Sequence, residues 1–353
     1  MPRRRKRLDP SSFNLPVEQI KAGFYTDVYF QRARDVLRHD GRSPRVLMQV
    51  TGKGVGWLGG IDETIALLKL CADDWSALTV NALFEGDWFD EWETVLTIEG
   101  PYDTFAHLET LYLGVLGRRT NICTNAREIV EAAESKPVMM FGARDDHFLA
   151  QPGDGYSAMV AGIKQVSTEA QASLFGGKPV GTIPHALIAA YKGDTLKATQ
   201  KFLEIVDKDV QVIALVDYDN DCVKTSLEVA RALEDRLWGV RLDTSEHMVD
   251  KSVVSQMGVF RPTGVSPQLV WNVRNALDGE GFGDAKIVVS GGFDAERIHE
   301  FEEDGVPVDA YGVGAALYAG RFDFTADIVQ VDGKAESKKG RAMQPNQRLE
   351  RVK

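Results

Sequence analysis

Cysteine is scarce in this sequence: three residues, Cys71, Cys123 and Cys222, in a chain of 353. They lie far apart and none forms a CxxC pair, which argues against a disulfide framework or a structural zinc site and fits a reducing compartment. Long apolar runs are missing as well. No uncharged stretch approaches the roughly 18 residues that a spanning helix needs, and the N-terminal MPRRRKRLDP lacks the apolar stretch of a signal peptide. A cytoplasmic protein without membrane contact is expected. The third absence is positive charge. Lys and Arg number 41 against 52 Asp and Glu, a formal net charge of -11, whereas a general nucleic-acid binder needs a basic face to meet phosphates. The one basic cluster, Arg3, Arg4, Arg5, Lys6 and Arg7, reads as a solvated, disordered end.

What is present is the composition of a globular protein, 44% apolar and 26% charged, too long for one small core. Two structural parts are expected. From about residue 138 short β-branched runs alternate with longer stretches of helical periodicity, as parallel strands joined by crossover helices require. The strand-like runs are VMMFG from Val138, PVGTI from Pro179, VQVIALVD from Val210, WGVRLD from Trp238, AKIVVSGG from Ala285 and VDAYGVG from Val308, with a weaker one at residues 257–261. Between them residues 195–207 and 222–237 repeat apolar side chains at helical spacing. The class is α/β, an incomplete or irregular parallel β/α barrel. Upstream, residues 45–53 and 93–99 read as strands and residues 61–70 and 73–83 as helices, without a βαβ rhythm. The division expected is a disordered basic tail over 1–15, an α+β sandwich domain over 16–117, a barrel over 118–320, and a segment over 321–353 that returns to the sandwich.

In a parallel barrel the βα loops converge at the C-terminal ends of the strands, so chemistry belongs there. Those ends carry Arg144; Thr182 and His185; Asp217, Asp219 and Asp221; Arg241, Asp243 and Thr244; Ser290, Gly291 and Gly292; and Gly312 and Gly314. SGG and GVG close the last two strands, where backbone N–H groups commonly hold a phosphate and glycine permits its close approach. Arg241 and Asp243 alternate with Val240 and Leu242, which points both polar groups into the barrel mouth, either as a structural ion pair or as an anion grip beside a hydroxyl acceptor. His185 follows a strand, where imidazole can accept a phosphoryl group at neutral pH. The acidic run DYDND at 217–221 either holds Mg²⁺ through waters or starts the next helix.

Eight segments, in order, resemble the nicotinate phosphoribosyltransferase family, within the group that includes the nicotinamide and quinolinate enzymes. They are FYTDVYF at Phe24, ETVLTIEGPYDTFAHLET at Glu93, RRTNICTNARE at Arg118, FGAR at Phe141, GTIPHALI at Gly181, GVRLDTSE at Gly239, SGGFDAERI at Ser290 and GVGAAL at Gly312. The resemblance implies a barrel plus a sandwich built from both chain ends, in a homodimer or higher homo-oligomer with shared active sites. It implies that Tyr29 stacks on the pyridine ring from a neighbouring subunit, with Phe141 on the other face and Arg144 and Arg241 near the ring carboxylate and phosphates. Asp217 and Asp243 then meet the ring, ribose or metal-bound pyrophosphate, Thr182 and Thr244 line the substrate, and Ser290, Gly291, Gly292, Gly312 and Gly314 hold the 5-phosphate. Mg²⁺ enters with phosphoribosyl pyrophosphate, and His185 falls on the histidine that the ATP-using members phosphorylate.

The activity so implied condenses nicotinate with phosphoribosyl pyrophosphate to the mononucleotide and pyrophosphate, with ATP coupling left open. Quinolinate or another azine is the alternative acceptor, although Asp145 and Asp146 after Arg144 speak against a dicarboxylate. A nucleotide-binding barrel without turnover is the alternative from another class.

Overall fold

The computed structural model describes residues 6–206, 210–258 and 260–352. The chain forms two compact units. The first takes in Met1–Arg127, Ala150–Gly162 and Ala319–Lys353, the second Glu128–Leu149 and Ile163–Tyr318.

The first unit is built on β1 (Arg45–Gly52), β3 (Thr79–Ala82), β5 (Thr94–Pro101), β12 (Phe324–Val331), β13 (Lys334–Ala335) and β14 (Glu350–Arg351), with a ribbon of β2 (Gly56–Trp57) and β4 (Trp88–Phe89) beside it. The sheet order is β13-β12-β1-β5-β3-β14 and all pairs are antiparallel. Alternation decides which face is covered: Val46, Met48 and Val50 of β1 and Leu96 and Ile98 of β5 enter one core with Ile65, Leu68 and Cys71 of the helix Ile61–Cys71. Each such aliphatic chain contributes about 1.5–3 kcal/mol by leaving water. Residues 73–83, expected as a helix, instead hold the short 3-10 turn Trp75–Ala77 and then β3, because Thr79 and Val80 fit a pleated surface between two strands.

Two further departures concern boundaries. Residues 1–5 lie outside the described residues, but from Arg7 the basic tail is held: its guanidinium sits 4.0 Å from the Phe84 ring centre and donates to the Ala82 carbonyl at 3.0 Å, and the Leu8 N–H donates to Asp62 Oδ2 at 2.9 Å. Residues 118–127 and 150–162 belong to the first unit rather than to a barrel beginning at 118. Charge explains it. Arg119 Nε donates to Glu63 at 2.9 Å, its Nη1 meets Asp154, and Arg118 Nη2 pairs with the same Asp154 carboxylate at 2.7 Å. A Cβ on Gly153 would lie 2.2 Å from the Arg119 guanidinium, so only glycine admits the close approach.

The second unit carries β6 (Val138–Met140), β7 (Gln165–Val166), β8 (Ile213–Leu215), β9 (Gly239–Leu242), β10 (Lys286–Val289) and β11 (Ala310–Val313). All neighbours are parallel, in the order β7-β6-β11-β10-β9-β8. This is a curled, incomplete barrel, with no ladder joining β7 to β8 among the described residues. The strands are almost continuously apolar, as burial on both faces demands. The intervening helices start where their caps predict: Asp194 accepts from Lys197 N–H, Ser266 from Leu269 N–H with Pro267 at the first turn, and Asp294 from Arg297 N–H. PVGTI, expected as a strand, lies in no strand and offers β7 one bond, Val180 N–H to Val166 carbonyl at 2.8 Å. The weaker run at 257–261 has no strand among its described residues; Val259 lies outside them. No helix among the described residues is long and apolar enough to cross a membrane.

Candidate active site

The strand ends of the second unit converge on Arg241. Because side chains alternate along β9, Arg241 and Asp243 share a face, and the parallel register sets Arg241 beside Val288 of β10 and Leu215 of β8. Arg241 Nε donates to Ser290 Oγ at 2.8 Å, Nη1 to Thr182 Oγ1 at 2.8 Å, and Nη2 lies 2.9 Å from Asp243 Oδ2. Ser290 Oγ donates in turn to Asp243 Oδ1 at 2.6 Å. The guanidinium carbon stands 5.0 Å from the Phe141 ring centre. Three sides of the cation are thus fixed by two hydroxyls and a carboxylate, with an aromatic face beside it.

A second pair lies in the same unit. His185 Nε2 is 3.1 Å from each carboxylate oxygen of Asp217, whose side chain is only 6% exposed while that of His185 is 47% exposed. The hydrogen bond to Asp217 raises the His185 imidazole above the ordinary histidine value, against the opposing effect of partial burial. Nε2 is the ring nitrogen that this pair engages.

Beyond Ser290 the backbone turns left-handed twice, at Gly291 (φ 88°) and Gly292 (φ 74°), before the helix Ala295–Glu303. Arg297, which sequence reasoning missed, fixes that turn: Nη1 donates to the Gly291 and Gly292 carbonyls at 2.9 and 3.2 Å, and Nη2 to the Val265 carbonyl at 2.7 Å. Its only sequence signal was its place in SGGFDAERI. Two consecutive left-handed residues with carbonyls drawn off to one side are a backbone arrangement that can receive an anion.

The other glycines have different surroundings. A Cβ on Gly312 would lie 2.6 Å from the Phe141 ring, so the missing side chain seats that ring; one on Gly314 would lie 2.9 Å from Asp145 Oδ2. Two candidates of this unit take no part in those contacts, and a third belongs to the other unit. Thr244 is buried and turns to Cys222, Oγ1 3.8 Å from Sγ. Arg144 is exposed and makes no ion pair among the described residues. Tyr29 belongs to the first unit, 62% exposed near the start of the helix Val28–His39. In the acidic run, Asp219 is exposed and Asp221 lies 3.5 Å from Lys251 Nζ at the start of the helix Cys222–Leu233. Among the described residues no group of three or more His, Cys, Asp or Glu is placed to hold a metal ion.

This combination of an incomplete parallel barrel with an antiparallel unit also occurs in known proteins. Residues 27–120 match the family described as quinolinate phosphoribosyl transferase, N-terminal domain. The crystal structure of a nicotinate-nucleotide pyrophosphorylase from Pyrococcus furiosus is similar at a TM-score of 0.81 and 35% identity, covering 96% of this chain and 85% of that one. A nicotinate phosphoribosyltransferase of Mycobacterium tuberculosis is 29% identical over 262 residues, 72% of this chain and 54% of its own. One from Bacillus subtilis is 26% identical over 236 residues, 66% of this chain and 44% of its own. The chain therefore spans about half the length of these curated relatives. It belongs to the nicotinate and quinolinate phosphoribosyltransferase family.

Proposed function

We propose that the protein is a phosphoribosyltransferase that joins nicotinate to phosphoribosyl pyrophosphate, giving nicotinate mononucleotide and pyrophosphate for NAD biosynthesis. The observation that carries this reading is Arg241, held by Ser290, Thr182 and Asp243 beside the Phe141 ring. A planar aromatic acid suits such a place, with its ring on Phe141 and an anionic group on the guanidinium.

In the reaction the pyridine nitrogen attacks C1 of the ribose, the bond from C1 to the pyrophosphate oxygen breaks, and the electron pair leaves with pyrophosphate. Positive charge develops on the sugar, so the Asp243 and Asp217 carboxylates stabilise it and Arg241 offsets the departing negative charge. The Gly291–Gly292 turn takes the 5-phosphate on backbone N–H groups. Mg²⁺ arrives as part of the substrate, bound to pyrophosphate, where it neutralises leaving-group charge. Where ATP is coupled, His185 Nδ1 is the acceptor nitrogen, because Nε2 faces Asp217. The active unit is a homodimer or higher homo-oligomer: Phe24, Tyr25, Val28 and Tyr29 are 72, 46, 55 and 62% exposed in one stretch of sequence, and a second copy covering them would bring Tyr29 to a neighbour's pyridine ring.

Quinolinate is a second reading, favoured by the family matched over residues 27–120. Against it, the Asp145 carboxylate beside Gly314 opposes a second ring carboxylate. Pyrophosphate release from phosphoribosyl pyrophosphate with nicotinate, nicotinamide or quinolinate, each with and without ATP, separates the readings. Turnover with nicotinate alone among the three is expected; binding without pyrophosphate release would sink the enzymatic reading.

A further inference from the structure

Asp250 is fully buried and has no part in the chemistry above. Its Oδ2 accepts the Cys222 N–H at 2.8 Å and its Oδ1 the Ser252 N–H at 2.9 Å. Cys222 opens the helix that follows the turn beginning at Asp217, and Ser252 lies in the 3-10 helix Lys251–Gln256 that ends the loop beginning at Asp243. One carboxylate therefore spans both loops. A second tie runs between them, Lys251 N–H to Asn220 carbonyl at 2.8 Å, and Asn220 N–H closes the turn on the Asp217 carbonyl at 3.0 Å. Cys222 Sγ and Thr244 Oγ1, 3.8 Å apart, pack between the same loops.

A carboxylate suits this place, since both oxygens accept and the N-terminus of a helix favours negative charge. An amide would turn two donors toward an N–H. We propose that Asp250 is a positioning residue, which clamps the loop after β9 onto the loop after β8 and so keeps the Asp217 carboxylate against His185. The catalytic consequence rests on the function proposed above; the clamp itself does not.

The test is a titration of the histidine ring signals by NMR, with the His185 signal identified by its loss in His185→Asn. In Asp250→Asn the His185 titration is expected to move to lower pH, as Asp217 drifts away. Cys222→Ala keeps both N–H bonds while removing the thiol that touches Asp250 and Thr244, and is expected to shift that titration less than the Asp250 variants. Asp250→Ser buries no charge and keeps one acceptor; it serves in place of Asp250→Asn should the amide variant not fold, with the same downward shift expected. An unmoved titration in a folded Asp250 variant, or an equal shift in Cys222→Ala, would overturn the clamp. In the pyrophosphate assay Asp250→Asn should lower kcat by up to about a hundredfold while KM for phosphoribosyl pyrophosphate changes little, since misplacement of a group costs rate. A protein inactive with every pyridine acid that still shows the titration shift would refute the proposed reaction and leave the clamp standing.

Discussion

The two units treat buried charge in different ways. In the antiparallel unit Arg119 meets two carboxylates, Glu63 and Asp154, and Asp154 also takes Arg118, so two cations and two anions close on one another. Asp62 is likewise taken up by Arg7, the Leu8 N–H and the Tyr156 hydroxyl, and burial raises both Asp62 and its neighbour Glu85. In the parallel unit Arg241 has one carboxylate, shared with Ser290, and is otherwise placed by hydroxyls; His185 is nearly half exposed. Charge neutralised by charge holds a fold together. Around Arg241 two hydroxyls take the donors that a second carboxylate takes around Arg119.

The comparison breaks most visibly at Arg119. Arg119→Ala leaves Asp154 and Glu63 short of their buried cation and should cost about 3–5 kcal/mol of stability, read by denaturant unfolding. Any folded fraction should retain its specific activity. Arg241→Lys should do the reverse: unfolding within about 1 kcal/mol of the parent, with kcat/KM for pyrophosphate release down by about 10²–10³-fold, because a point ammonium cannot serve Ser290, Thr182, Asp243 and a ligand in one plane. Near-normal turnover in that variant would reduce Arg241 to a structural ion pair.

Gly291→Val sits between these cases. The added Cβ would meet only ordinary contacts of 3.5 Å, so a cost of about 1–3 kcal/mol comes from the left-handed backbone rather than from a clash. Phosphoribosyl pyrophosphate affinity, measured by calorimetry, should fall by tenfold or more (roughly 1.4 kcal/mol) as the turn reshapes. The smallest effect is in pH. His185 has a raised value in the folded protein, so the stability it supplies is complete below the unfolded histidine value and is lost as pH rises through the folded one. Unfolding curves for His185→Asn should lack that decline, and a parallel decline in the variant would place its origin elsewhere.

The fold class was legible in the sequence because apolar strands and capped helices alternate with little ambiguity from Val138 onward. The Arg241 and Asp243 pair was legible too, since strand periodicity alone puts them on one face. Short elements were not. β7 has two residues, too few for any period, and PVGTI has the composition of a strand yet forms one backbone bond instead of a ladder. Thr79–Ala82 lay within a stretch whose apolar spacing also fits a helix, and its strand state is set by β5 and β14, distant in sequence. Arg297 and Asp250 were invisible for another reason. Their partners are backbone groups, up to 32 and 28 residues away, and a carbonyl or N–H leaves no mark in the sequence of side chains.

The open seam of the barrel has a mechanical consequence. The segment after β7 meets β8 and the turn beyond it through side chains: Ile183 clusters with Leu215, and His185 reaches Asp217. A closed barrel resists opening equally around its circumference, through the same backbone ladder at every strand. Here the segment after β7 has no such ladder to β8 among the described residues. A change in the charge of His185 therefore bears on the packing of that segment against the turn after β8.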